Sequence, residues 1–510
     1  MVILFLAILL VGIFLRTYEF HDFLRFNPDQ SRDAGVVRSY LTGESGLPLL
    51  GPKAGGTEFR VGPAFYYFQV ISGKVFGDTP EAMAYPDLFF SILAIPLLFF
   101  FLRRYFDTRT AFLLMTLFAV SLYAVKYSRF AWNPNSLPFW SLLFLSALHM
   151  TAVGGTSVKK YWSIVLGVAV GMGVQFHTLS LVFFPIVTLL TFFFLFVEKR
   201  MSWKSVCLTV GIALLLNTSQ IVSEIQTGGV NTQAFFQSIG SKEKKGSGVV
   251  KNTLKEVVCY TQANAYILTS YDSDDGCSLK SVWKGFNVPV FIIGILFFIG
   301  GVWLSVRAFR KEQDMSKQYF LGITLSYLIL SFLVLLPLAN EISMRFFLPM
   351  IFMPFLFLGL WMEYIRERFP KYADPVTIIL VSMLLLSNLY SIRQSFSMSK
   401  AYLTDSNAGM DNVLLREVEL ASDFIILHTD GTSVVVVDGD SEFLRKALKS
   451  MNYFTLREGI RLVQKDKETD SKMPFFLVEN TKRTDKILQS RPVDEYLSFG
   501  RFTIFSLRSW

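Results

Sequence analysis

Uncharged apolar runs recur along the chain at a length that predicts membrane-crossing helices. Eleven such spans fall over roughly 1–18, 84–102, 110–126, 133–153, 161–177, 178–197, 205–223, 288–306, 318–338, 345–362 and 373–392. Residues 178–197 (TLSLVFFPIVTLLTFFFLFV) carry no charge. At 1.5 Å rise per residue, a run of that length crosses about 30 Å of hydrocarbon. Residues 1–15 have no basic flank before them and no small-residue cleavage site after them, so they read as an uncleaved anchor.

The short loops between spans fall into two alternating sets. One carries Arg103, Arg104, Arg109, Lys159, Lys160, Lys199, Arg200, Lys204, Arg307, Arg310, Lys311, Lys317, Arg366, Arg368 and Lys371. The other carries Lys126, Arg129 and Arg345. Positive residues stay on the cytoplasmic side, so the first set is expected inside and the N-terminus with it. Three polar stretches then face outward: 19–83, 224–287 and a tail from about 393. The tail alternates β-rich stretches (434–437, 475–478, 502–505) with polar amphipathic ones (441–451, 480–489), the pattern of a small α/β domain. The expected organisation is an all-α polytopic membrane domain over 1–392 and an extracytoplasmic α/β domain over 393–510.

Composition sharpens this. Of 510 residues, 52% are hydrophobic, 17% are charged and 51 are Phe, which argues against a disordered chain and an ordinary soluble enzyme. The net charge of +9 does not point to nucleic acid, because the cations sit in short clusters between apolar runs. Three Cys lack metal-site spacing. Cys259 and Cys277 share one expected outer loop, where either a bridge or two thiols is allowed. Cys207 lies within a span and reads as packing.

The candidate chemistry gathers on the outer side. In FNPDQSRD, Asp29 and Asp33 are four apart, so a helical turn puts both on one face. Pro28 suits the first turn of that helix. Two roles are open for Asp29: a general base, or a carboxylate favouring the helix dipole. Asp33 could equally pair with Arg32 or Arg38. Lys53, Arg60 and the turn-rich GPKAGG and VGP segments follow, then AFYYFQVISGKVF, which is amphipathic and too short to span. There Tyr66 and Tyr67 fit an aromatic belt. Tyr127-Ser128-Arg129 with Trp132-Asn133, Gln175 with His177, and Arg345 lie at outer helix ends. Cations converging near a carboxylate at a membrane surface suit a phosphate-bearing headgroup.

These motifs resemble the GT-C superfamily of integral-membrane glycosyltransferases. The group is that of the dolichyl-phosphate-mannose protein mannosyltransferases, the aminoarabinose–lipid A transferases and the bacterial RgtA/B/C/D-like proteins. The resemblance covers about residues 1–365. Its carriers are PDQSRD, VGPAFYYFQ with VFG, YSRFAWNPN, QFHTLS and RFFLP. It implies inverting transfer of a sugar from a polyprenyl-phosphate donor to a hydroxyl on a protein, polysaccharide or lipid, at the outer face of the plasma membrane. The implied catalytic acids are Asp29 and Asp33, with Lys53, Arg60, Arg129 and Arg345 on the donor phosphate. Gln30, Tyr66, Tyr67, Asn133, Gln175 and His177 are further substrate-site candidates. The chain departs from the family in having Asp29-Gln30 for Asp-Glu, Arg60-Val61-Gly62-Pro63 before the aromatic segment, and Asp87-Leu88 where an Arg is common. No cofactor is required by the sequence, no metal-ligand cluster is visible, and a divalent ion at Asp29 is left open. The rival classes are a lipid-linked sugar flippase, which calls for mid-membrane charges and repeated halves, and a membrane-anchored binding protein.

Overall fold

The computed structural model describes residues 2–243, 248–271, 277, 287–409, 412–429, 431, 433–465 and 475–507. Helix α1 (Val2–Thr17) is followed by α2 (Pro28–Leu41) and α3 (Ala64–Phe76) in the first polar stretch. A bundle follows: α4 (Pro80–Leu102), α5 (Thr108–Ala119), α6 (Leu122–Tyr127), α7 (Leu137–Val153), α8 (Thr156–Gly173), α9 (Thr178–Val197), α10 (Trp203–Leu216) and α11 (Thr218–Thr227). Helices α12 (Val230–Glu243) and α13 (Val249–Thr269) occupy the second polar stretch. The apolar helices then resume with α14 (Asn287–Lys311), α15 (Met315–Leu335), α16 (Met353–Arg368) and α17 (Pro370–Thr404).

Helix lies on each of the eleven expected stretches. By length and composition, α4, α9, α14, α15 and α17 can each cross a membrane. If the bent pair α10–α11 (63°) and the 3-10 turn Met344–Met350 with α16 (61°) each count as one span, the described residues hold up to 7 candidates. The breaks have local causes. The expected span 110–126 is interrupted because Ser121 donates to the Ile267 carbonyl and the Leu122 N–H goes to Asn388 Oδ1 instead of continuing the ladder. The stretch 205–223 bends where the Asn217 amide reaches back to the Gly171 and Ala213 carbonyls. Pro349 holds the start of the 345–362 stretch in a 3-10 turn. Elsewhere the boundaries follow capping rules. Thr79 accepts from Ala82 N ahead of Pro80, and Asp107 Oδ1 accepts from Thr110 N.

The short loops rich in Arg and Lys gather at one end of the bundle. Arg366 pairs with Asp107 at 2.7 Å, Arg109 with Asp374 at 2.9 Å, and Lys159 donates to the Arg200 carbonyl. The first polar stretch caps the opposite end.

The tail folds as a five-stranded mixed sheet in the order β2-β1-β3-β5-β4. Strand β1 (Val434–Gly439) runs parallel to β2 (Arg461–Gln464) and β3 (Phe475–Asn480). Strand β5 (Phe502–Leu507) is antiparallel to β3 and β4 (Val493–Phe499). Helices α18 (Leu415–Leu427), α19 (Ser441–Thr455) and α20 (Thr484–Ser490) complete it. The tail packs directly on the first polar stretch. Phe26 meets Tyr453 and Phe454 at ring distances of 5.5 and 5.8 Å, and Asp78 takes both Arg38 (2.9 Å) and Arg457 (3.4 Å).

Candidate active site

Pro28 opens α2 and Asp29 lies in its first turn, as its spacing predicts. Four residues on, Asp33 faces inward at 1% exposure. Arg32 lies between the two acids: Nη1 reaches Asp29 Oδ1 at 2.9 Å, while Nε and Nη2 hold the Asp33 carboxylate at 2.9 and 3.1 Å. Tyr66 on α3 donates to Asp33 Oδ1 at 2.9 Å. Burial raises Asp33 to about 6, against the bonds from Arg32 and Tyr66 that pull it down. Burial and the neighbouring Asp33 raise the Tyr66 phenol. The two acids therefore differ. Asp33 is enclosed and fully engaged. Asp29 is 54% exposed and, among the described residues, has a single ion pair, with Arg32.

Beside Asp29 runs an unbroken series of cation and ring contacts. The Arg25 guanidinium lies 4.9 Å over Phe130, Phe130 lies 5.9 Å from Trp132, and Arg345 lies 5.1 Å over Trp132 and 5.5 Å over Phe346. His177 meets Phe346 edge-on at 5.4 Å, and Tyr127 stacks on Trp132 at 6.5 Å. Neither Arg25 nor Arg345 has a side-chain hydrogen bond or ion pair among the described residues, and Arg25 Nε is buried without a partner. Burial, with the like charge of Arg345, pulls the Arg25 guanidinium below its ordinary value; Tyr127 and Asp29 act the other way. Two unspent guanidiniums flanking an aromatic step beside an open carboxylate make an anion-accepting arrangement.

The remaining candidates are distributed unevenly. Lys53 and Arg60 pair across a hairpin closed by Gly51 N–Val61 O (2.8 Å) and Ala54 N–Phe59 O (2.8 Å). Its tip reaches the site: a Cβ on Gly55 would stand 3.5 Å from Arg345 Nη2. Lys53 is paired with Glu58, and Arg60 donates to the Gly51 carbonyl.

Arg129 corrects the expectation that it holds phosphate. Its Nη atoms are used by the carbonyls of Leu15, Arg16, Tyr18 and Glu19, so it closes the end of α1. Four further substrate candidates are bracing groups. Gln30, 3% exposed, ties Asn27 N to the Ala131 carbonyl. Gln175 joins Ala64 N to the Gly171 and Leu216 carbonyls. Asn133 donates to the Phe176 carbonyl, and Tyr67 reaches Pro48 O and Ser219 Oγ. His177 caps α9 through Leu179 N and keeps one edge toward the site. Cys259, in α13, and Cys277 are both thiols, Sγ of the first 4.0 Å from the second's carbonyl. Among the described residues, no group of three or more His, Cys, Asp and Glu side chains is placed to hold a metal.

Sequence reading missed Arg25. Its one signal was an arginine between aromatic residues just before the PDQ motif. It also gave Asp87 no role. Asp87 is 2% exposed and accepts from Trp132 N at 2.9 Å, which fixes the loop that carries the indole under Arg345.

The family model for dolichyl-phosphate-mannose-protein mannosyltransferase matches residues 60–221. That segment contains Tyr66, Arg129, Trp132 and His177 but not Asp29 or Arg345. The curated proteins contain no match. Among solved structures, the chain is similar to the Archaeoglobus fulgidus oligosaccharyltransferase in its complex with zinc and sulfate. Identity is 12%, covering 94% of this chain and 68% of that one, with a TM-score of 0.55. The same organism's AglB, in complex with an inhibitory peptide and a dolichol-phosphate, gives 12% identity over 100% and 74% of the two chains at TM-score 0.51. ArnT from Cupriavidus metallidurans bound to undecaprenyl phosphate gives 12% identity over 99% and 97% of the two chains, at a TM-score of 0.45. The chain therefore shares its fold with these two oligosaccharyltransferase structures. The resemblance to the GT-C glycosyltransferases is shown by that fold together with the mannosyltransferase match over 60–221.

Proposed function

We propose that this chain is a multi-pass glycosyltransferase that moves a sugar from a polyprenyl-phosphate donor to an acceptor hydroxyl at the outer membrane face, with inversion. The observation that carries the reading is the pair of unspent guanidiniums: Arg25, within reach of the half-exposed Asp29's charge, and Arg345, within reach of Arg25's. The similar fold in complex with a dolichol-phosphate supports a lipid-linked donor. Eleven spans with the N-terminus inside and the tail outside agree with the loop charges.

The donor's isoprenoid stays in the bilayer against apolar helices, and its phosphate meets Arg25 and Arg345. Asp29 takes the proton of the acceptor hydroxyl as the oxygen attacks the anomeric carbon. The bond from that carbon to the phosphate oxygen breaks, and its electron pair leaves on the polyprenyl phosphate. The two guanidiniums stabilise that growing charge, a contribution of several kcal/mol in sites of this kind. Arg32, held from behind by Asp33, which Tyr66 holds in turn, fixes the Asp29 carboxylate.

The test supplies purified protein in lipid with a panel of radiolabelled polyprenyl-phosphate sugars and acceptor extract. Transfer of label with release of polyprenyl phosphate is expected for one donor. Donor moved across vesicles unchanged, with no release, would replace this reading by a flippase.

A further inference from the structure

The tail domain had no assigned role, and its placement supplies one. Residues 18–27 form no helix or strand, so their backbone groups need partners elsewhere. The tail provides them. Phe26 N donates to the Val413 carbonyl at 3.0 Å, Leu415 N donates to the Leu24 carbonyl at 2.7 Å, and Arg25 bridges Leu414 in antiparallel register. Asn27, the residue before α2, accepts Val413 N on Oδ1 at 3.1 Å. The backbone on both sides of Arg25, a few residues short of Asp29, is therefore tied to 413–415.

That anchor is itself held from deeper in the tail. Glu417 Oε2 accepts from Leu414 N at 2.9 Å, and its carboxylate takes Arg501 Nε and Nη2 at 2.8 and 2.9 Å. Arg501 also donates to the Gly409 and Asn412 carbonyls and lies 3.9 Å over the Tyr402 ring. Both charged groups are 0% exposed. A buried pair is a weak source of stability and is best understood where it fixes one arrangement.

We propose that the tail domain is a positioning element for the active site. The Glu417–Arg501 pair sets the 412–415 segment, and that segment holds Arg25 and the start of α2 where donor phosphate and acceptor meet. This rests on the proposed transferase reading for its activity arm alone.

One substitution removes a single tie. Leu415 is the first residue of α18, where proline is tolerated, and Leu414 before it is extended (φ −90°, ψ 151°), as a pre-proline residue should be. Leu415→Pro therefore deletes the N–H to Leu24 O, while Leu415→Ala keeps it and loses more side chain. Hydrogen–deuterium exchange on the full chain in lipid should show the Phe26 amide opening about fivefold more often in Leu415→Pro, the equivalent of one hydrogen bond, and not in Leu415→Ala. Donor KM should rise and kcat fall in Leu415→Pro. A merely less stable protein would lower kcat through its active fraction and leave KM unchanged. Unchanged exchange in Leu415→Pro overturns the tie. Faster exchange with unchanged kcat and KM overturns the positioning role. If the wild type turns over no lipid-linked sugar, the transferase reading fails, and the exchange result alone decides whether the tail holds this segment.

Discussion

Arg345→Ala separates a ligand-holding arginine from a structural one. In the free protein this guanidinium has ring contacts to Trp132 and Phe346, its Nη2 stands 3.5 Å from the Cβ position of Gly55, and no carboxylate pairs with it among the described residues. Each cation–ring contact at a partly exposed site contributes about 0.5–1 kcal/mol. Losing them is offset by relief of repulsion with Arg25, so the unliganded fold should change by about 1 kcal/mol or less. The liganded state is different. A charge-assisted bond to phosphate is worth about 1.5–3 kcal/mol, which weakens polyprenyl-phosphate binding roughly 10- to 150-fold. At a lipid concentration of about 100 Kd, binding stabilises the wild type by about 2.7 kcal/mol. A loss of about 100-fold leaves about 0.4 kcal/mol of that. The assay is thermal unfolding in detergent with and without undecaprenyl phosphate. The wild type should show a clear lipid-dependent rise in Tm, Arg345→Ala almost none, and Arg345→Lys an intermediate one, since lysine keeps the charge but loses the fork. A full lipid-dependent rise in Arg345→Ala refutes the phosphate assignment. A large fall in Tm without lipid makes the residue structural.

Arg129→Ala should show the opposite pattern. Four backbone carbonyls at the end of α1 lose their donor, so Tm falls by an amount equivalent to about 2–4 kcal/mol, while turnover per folded molecule is kept. Gly62→Ala should destabilise by about 2–4 kcal/mol in denaturant melts, because its Cβ would stand 2.3 Å from Gln175 Cγ and dislodge a fully bonded amide. Activity should fall on the acid side with a midpoint near 6, where Asp33 becomes neutral and Arg32 loses its rear anchor. Asp33→Asn should remove that limb and leave low, flat activity. The sign for stability is reversed: a carboxyl raised from 3.8 to about 6 takes up a proton on folding, so this group favours the fold more as pH falls through that window.

How far the sequence went depends on the kind of signal. Apolar runs report burial in a bilayer directly, so helix was found on every expected stretch. The breaks at Ser121 and Asn217 were not legible, because their partners, Ile267 and Gly171, are remote in the chain. In the tail, the tetravaline of β1 and the Phe-rich β3 and β5 announced themselves. Strand β4 did not, because its exposed edge reads as polar. The Asp29–Asp33 spacing placed both acids on one helical face, yet spacing cannot say which acid is enclosed. That depended on Tyr66 arriving from α3. Arg129 and Arg345 look alike in sequence, both cations at outer helix ends, and only the carbonyls around Arg129 distinguish them. Arg25 escaped because its importance lies in its contact with Phe130 and the like charge of Arg345, both remote in the chain.

The central claim is that Asp29 is the base of a sugar transfer whose leaving phosphate is held by Arg25 and Arg345. The most direct measurement compares the wild type and Asp29→Asn for binding and single-turnover transfer of the donor found in the panel. The substitution keeps the size and position of the side chain, but a neutral amide cannot accept the proton. The account therefore predicts unchanged donor affinity and transfer slowed by about 10²–10⁴. Transfer at the wild-type rate in that variant would contradict it.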